Sequence, residues 1–261
     1  MAYKVTLEDL LEAGAHFGHQ ARRWNPKMGD YIYGVKEGVH IFDLAKTKEA
    51  LLEALGVIEK YAKEGKTILF VGTKKQAKDK IKELGEKTGF PYVNERWMGG
   101  TLTNFAQVSK SAKKLVDLED SLASGQFASY TKKERLLVSR DIEKLKRNFG
   151  GIVSLKAQPD LIVIIDIHRE LGAAREAKRM KVPTVAVVDS NSDPTLVDWA
   201  VPMNDDAGKA LDYVIALFEE AALTGQGKTV SKSETKEETK KVAKKAKAKK
   251  VAKKEVQEES K

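Results

Sequence analysis

No cysteine occurs among the 261 residues, which removes disulfides, zinc-thiolate sites and cysteine nucleophiles together and fits a reducing cytoplasm. No apolar run approaches the ~18 residues that a membrane span needs. The start, MAYKVTLEDLLEAG, reads as a capped helix rather than a signal peptide. The last stretch, Gln226 to Lys261, lacks aromatics altogether and has no glycine after Gly227. A segment so poor in apolar side chains buries too little surface to offset the entropy of ordering it, so it is expected to be disordered in isolation.

That same stretch is rich in charge. It holds 13 Lys against 6 Glu, a net of +7 out of +9 for the whole chain. It is an adaptable polycation whose natural partners are phosphates, although a purely solubilising tail has the same composition. Residues 1–225 carry 34 Lys and Arg against 32 Asp and Glu, close to neutral. Within them, Phe105 to Gly150 is basic by +4, with ten basic and six acidic residues, so the remainder is slightly acidic. A near-neutral scaffold with one basic insert and one basic tail is the footprint of a protein docked onto nucleic acid from one side.

Periodicity gives the organisation. Thr6 and Asp9 stand at capping-box spacing before Leu10 and Leu11, predicting a short helix over 6–13. Residues 16–33 are aperiodic and read as a loop, and VHIFDL reads as a first buried strand. Leu51, Leu55, Ile58 and Ala62 mark a helix ending near Gly65. Strand, helix and strand then alternate: TILFVG, a helix on Ala77, Ile81 and Leu84, PYV, then LIVII, REAKRM and TVAVV. Strands apolar on both faces and separated by helices predict an α/β fold with a parallel sheet covered by helices. Between these, Val108, Ala112, Leu115, Leu118 and Leu122 form one narrow stripe, and Val138, Ile142, Leu145 and Phe149 another. They predict an antiparallel helical hairpin, inserted at 105–150 into a sheet domain made of 1–104 and 151–225 and followed by the tail at 226–261.

An enzyme reading finds little support in the motifs. GTKKQA after TILFV has one glycine where a dinucleotide fingerprint needs three, and GQGKT lacks the first Walker glycine, with Ala222 in its place. His16 and His19, or Asp166 and His168, complete no catalytic or metal set, and His40 and His168 read as packed structural residues. Asp189, Asp193, Asp205 and Asp206 cluster beyond late strands, where α/β folds place ligands; with His16 they are the candidates for a divalent cation, though turn and cap roles explain them without one. No catalytic residue is assigned.

Five longer motifs run in order: GAHFGHQARRWNPKM, GVHIFDLAKT, ERWMGGTLTNF, PDLIVIID and DSNSDPTLVDWAVPMNDDA. From about Val5 to Leu223 they resemble the bacterial small-subunit ribosomal protein S-two family. The resemblance implies a flavodoxin-like or Rossmann-like sheet with a coiled-coil hairpin, contacts with small-subunit ribosomal RNA, help in docking ribosomal protein S-one beside neighbouring small-subunit proteins, and no resident cofactor, membrane or small-molecule substrate. The alternative is a metal- or nucleotide-dependent enzyme of flavodoxin-like fold. On the ribosomal reading Arg22, Arg23, Trp24 and Lys27 join phosphate-seeking cations to a stackable ring. Arg96 and Trp97 repeat that chemistry beside Gly99 and Gly100, whose N–H groups are free to approach phosphate; burial of both tryptophans under their loops is the competing expectation. Lys74 and Lys75 stand at a predicted helix start. Lys110, Lys113, Lys114, Lys132, Lys133, Lys144 and Arg147 give the hairpin its basic surface.

Overall fold

A computed structural model describes residues 3–127 and 130–227. Of the predicted lysine-rich tail, 226–261, all but Gln226 and Gly227 lies outside the described residues. Helix α1 (Leu7–Glu12) starts where the Thr6 hydroxyl accepts the Asp9 N–H, so the predicted cap is present. Strands β1 (Phe17–Gln20), β2 (Ile32–Lys36) and β3 (Val39–Phe42) then form a small antiparallel sheet in the order β1-β3-β2.

This sheet corrects two expectations. Residues 16–33 are not one loop, because they contain β1, a 3-10 turn at Ala21–Arg23 and another at Pro26–Tyr31. VHIFDL is a strand but not a fully buried one; it is the middle strand of the small sheet, burying His40 and Phe42 while Val39 and Ile41 stay half-exposed. A four-residue strand among turn formers has too few periods to announce itself, and the ladder to β3 decides its state.

The large sheet is parallel throughout and holds β4 (Ile68–Val71), β5 (Tyr92–Val93), β6 (Leu161–Ile165), β7 (Thr184–Val188) and β8 (Trp199–Pro202), in the order β5-β4-β6-β7-β8. Counted within the sheet in chain order, that is 2-1-3-4-5. All residues of β4, β6 and β7 are buried, as continuous apolar runs demand of a sheet covered on both faces. Alternate side chains feed two cores. Ile68, Phe70, Val163, Ile165 and Val187 pack against α2 (Leu44–Lys63), α3 (Lys78–Thr88) and α7 (Gly208–Gly225) through Leu55, Leu84, Val214 and Phe218. Leu69, Val71, Ile162, Ile164 and Val188 face Ala173, Ala174 and Ala177 of α6 (Leu171–Met180). Each such aliphatic side chain contributes about 1.5–3 kcal/mol on burial.

Residues 105–150 form two helices that pack on each other, α4 (Phe105–Ala123) and α5 (Lys132–Phe149), linked by a Lys146–Glu119 ion pair. A full capping box at Thr131 and Glu134 starts α5. The predicted stripes are buried only toward the sheet. Val108, Ala112, Leu115, Ile142 and Phe149 are inside, whereas Leu122 is 48% exposed and Leu136 and Leu137 lie on the outside. Val108, Ala112 and Phe149 join the second core with Leu102 and Ile152, so the root of the pair is part of the sheet domain's own packing.

Candidate nucleic-acid interface

In a 2-1-3-4-5 sheet the chain direction switches between β4 and β6, and the loops that leave those strands flank the crevice where doubly wound folds hold ligands. Here that crevice is filled from within. Lys74, leaving β4, is buried with its ammonium 3.2 Å from Asp166, 2.6 Å from Asp205 and 2.6 Å from Asp206. Burial alone would push that ammonium down, but hydrogen bonds to Asp205 and Asp206 outweigh it and hold the group protonated. Asp205 is pushed up to about 8 by its own burial, with Asp189 and Asp166 adding to the rise. The Asp206 carboxyl is held low, first by its bond to Lys74. Burial and the neighbouring carboxylates thus raise Asp205, while bonds to carboxylates raise Lys74.

Lys74 therefore does not stand free at a helix start. Helix α3 begins at Lys78, and only Lys75 of that pair is exposed. The same cluster redraws the metal candidates. His19, rather than His16, comes within 4.8 Å of Asp205 and Asp206 in ligand-atom distance, the grouping among the described residues with metal-holding geometry. Its Nδ1 lies 3.0 Å from Asp189, which raises the imidazole pKa first through that hydrogen bond. His16 instead rests on Phe17, and Asp193 pairs with Lys27 at 2.7 Å. Asp189 is wholly buried and accepts from the Ser190 hydroxyl and the Asp205 N–H.

The ERWMGGTLTNF loop has the shape of an anion cradle, yet its anion comes from the chain itself. The Glu176 carboxylate of α6 accepts from Trp97 Nε1 (3.1 Å), Gly100 N–H (2.8 Å), Leu102 N–H (3.0 Å), Thr103 N–H (3.2 Å) and the Thr103 hydroxyl (3.2 Å). Burial would raise this carboxyl, but the donors, the Gly100 and Leu102 amides foremost, hold it below the usual carboxylate range. Gly100 sits at φ 91°, a left-handed conformation that favours glycine and turns its N–H inward. Trp97 is thus held by Glu176 and packed on the second core, and the Gly100 amide is already used; of the Arg96 and Trp97 side chains, only Arg96 is exposed. Sequence reasoning misses Glu176 because it sits in the middle of a helix, 73 to 79 positions from its donors.

Around the small sheet, Arg22 and Arg23 are exposed on the Ala21–Arg23 turn. Trp24 is 38% exposed and stacks on buried His40 with ring centroids 4.9 Å apart, so one face of the ring is covered. Lys27 is exposed but engaged with Asp193 and the Thr195 hydroxyl. On the helix pair, Lys110, Lys113, Lys114, Lys132, Lys133, Lys144 and Arg147 are all exposed, and none makes an ion pair among the described residues. Like charges held on two packed helices outside any ion pair leave a local positive potential.

Residues 10–225 match the family model described as Ribosomal protein S2. Similar proteins include the Small ribosomal subunit protein uS2 of a Nitratiruptor species, 49% identical over 222 residues that cover 85% of this chain and 83% of that one. The protein of the same name from Helicobacter hepaticus is 46% identical over 224 residues, 86% of this chain and 85% of the relative. That from Wolinella succinogenes is 46% identical over 222 residues, 85% and 82%.

Proposed function

Because the chain belongs to the ribosomal protein S2 family, we propose that it is a structural component of the small ribosomal subunit that binds small-subunit ribosomal RNA in the cytoplasmic ribosome. It is not an enzyme. At the sheet's switch point Lys74 is paired with Asp166, Asp205 and Asp206, and an engaged lysine among carboxylates argues against the nucleotide of the competing reading. The 2-1-3-4-5 strand order supports a flavodoxin-like sheet used as a scaffold, and the narrow stripes of α4 and α5 support a short coiled-coil hairpin carried on it.

The observation that carries RNA binding is the run of exposed cations without counterions on α4 and α5. With Arg22, Arg23, Lys75 and Arg96 they form the proposed phosphate-contacting set, and Trp24 offers its uncovered face for stacking on a base. Docking of ribosomal protein S-one belongs to the same reading. A protein partner is supported by Tyr33 and Val35, which share one face of β2 and are 82% and 56% exposed.

The test is sedimentation of tagged protein from cell lysate across a salt series. The protein should travel with small subunits at low salt and be released as salt rises, with a slope in log affinity of about 0.7–0.9 for each phosphate engaged. Recovery only as free protein at low salt would refute the proposal.

A further inference from the structure

Five donors converge on one carboxylate at a place where the chain changes direction. The loop they come from, Trp97 to Thr103, leads directly into α4 at Phe105. On the return side, Phe149 and Ile152 pack in the same core as Leu102, whose carbonyl accepts from Gln158 Nε2 at 3.2 Å. The acceptor, Glu176, lies on α6, whose Ala173, Ala174 and Ala177 are packed on the parallel sheet. The carboxylate therefore joins a rigid element of the sheet domain to the root of the basic helices. Among the described residues, no other side chain hydrogen-bonds the loop backbone from outside the loop except Gln158, through one carbonyl.

We propose that Glu176 is a positioning residue of the RNA interface: by gathering the Trp97, Gly100, Leu102 and Thr103 donors it fixes the direction in which α4 and α5 leave the sheet, and hence how many of their cations reach one RNA surface together. The inference rests on the reading that these helices bind ribosomal RNA. Its chemistry needs a bifurcated anionic acceptor. Glutamine at 176 keeps the length of the side chain but brings an NH2 group against N–H donors, so one side of the cradle is lost. A buried N–H left without an acceptor also favours rearrangement of the loop.

The experiment compares the full chain with Glu176→Gln, with Lys110→Ala/Lys113→Ala/Lys114→Ala, and with the combination, measuring binding to a small-subunit ribosomal RNA transcript as a function of salt alongside circular dichroism and melting curves. Glu176→Gln should stay folded at the assay temperature, bind roughly four- to fivefold more weakly near 0.15 M salt for each phosphate that the helices no longer reach, and show a shallower salt slope. The lysine triple variant should lose less when made in the Glu176→Gln background than in the native chain, because both changes act through the same helices. A shifted melting temperature with native affinity and slope would reduce Glu176 to a stabilising residue and overturn the proposal, as would strictly additive losses. Native affinity in the triple variant itself would instead overturn the RNA reading of the helix pair. If Glu176→Gln does not fold, Glu176→Asp takes its place; it keeps the charge but is a methylene too short to hold both sides of the cradle, and should lose affinity and slope in the same direction.

Discussion

At the scale of single residues, the recurrent theme is a charged side chain whose partner is intramolecular where the sequence suggests a ligand. Lys74 has the sequence context of a phosphate-binding lysine and is instead the counterion of Asp166, Asp205 and Asp206. Sequence reasoning has no access to this, because those partners lie 92 to 132 positions away and only the sheet order brings the strand ends together. Arg22 and Arg23 are legible for the opposite reason: a turn among polar residues leaves its cations outside whatever the tertiary fold. Removing the central cation should be costly. Lys74→Met leaves the carboxylates buried without their ammonium, and breaking a buried pair in this way costs about 3–5 kcal/mol. The pH dependence has a definite sign. A carboxyl whose folded pKa is raised favours the folded state at low pH and loses that advantage as pH climbs from 3.8 through about 8, the values for Asp205. That loss is common to the native chain and Lys74→Met, so the penalty of the substitution, measured by denaturant titration, should shrink below pH 3.8, where Asp206, held low by Lys74, takes up its proton, and grow above pH about 8, where Asp205 has to ionise without the ammonium. A penalty independent of pH would show that Lys74 acts through packing rather than charge.

At the scale of elements, legibility follows length and symmetry of environment. The strands β4, β6 and β7 are buried on both faces and announce themselves as unbroken apolar runs. Helices α2, α3 and α6 each bury one face and show it as a 3.6-residue period. Of the β1-β3-β2 sheet only β3 is legible, as VHIFDL; β1 and β2 are not, because these strands of four and five residues are half-exposed and bend at register shifts, so neither period survives. The helix pair is legible as two helices, but its root is not. There, Gly151 presses so close to β5 that an added Cβ would lie 2.2 Å from the Tyr92 carbonyl oxygen, a backbone atom held in the sheet. Gly151→Ala should therefore cost about 1–3 kcal/mol as overpacking. The melting temperature should fall by roughly 2–4 °C per kcal/mol in a domain of this size. Gly99→Ala is the control, since nothing lies within 4 Å of its Cβ. Equal melting temperatures for the two variants would mean that the α5-to-β6 connection yields and that the root is less rigid than its packing implies.

At the scale of the whole molecule, positive charge is unevenly distributed. Residues 1–225 are nearly neutral in sum, and Lys74 is spent on the carboxylates at the sheet's carboxyl edge. The excess resides on the helix pair and in Gln226 to Lys261, where 13 Lys face 6 Glu. Family similarity stops at residue 225, at the end of α7, so the two basic regions are expected to serve different ends. The helix pair has a fixed geometry and suits contacts in register with a folded RNA; the tail has the composition of a general polycation. Deleting 226–261 should leave the melting temperature almost unchanged, because a stretch without aromatics offers little to pack. It should weaken non-specific RNA binding and flatten its salt dependence, with six glutamates offsetting part of the thirteen lysines removed. In a competition between full-length and truncated chains during subunit assembly, both should be incorporated. A markedly lower melting temperature would mean that the tail packs on the body, and normal melting with exclusion from the subunit would move the decisive RNA contacts from the helix pair and the Arg22–Arg23 turn into the tail.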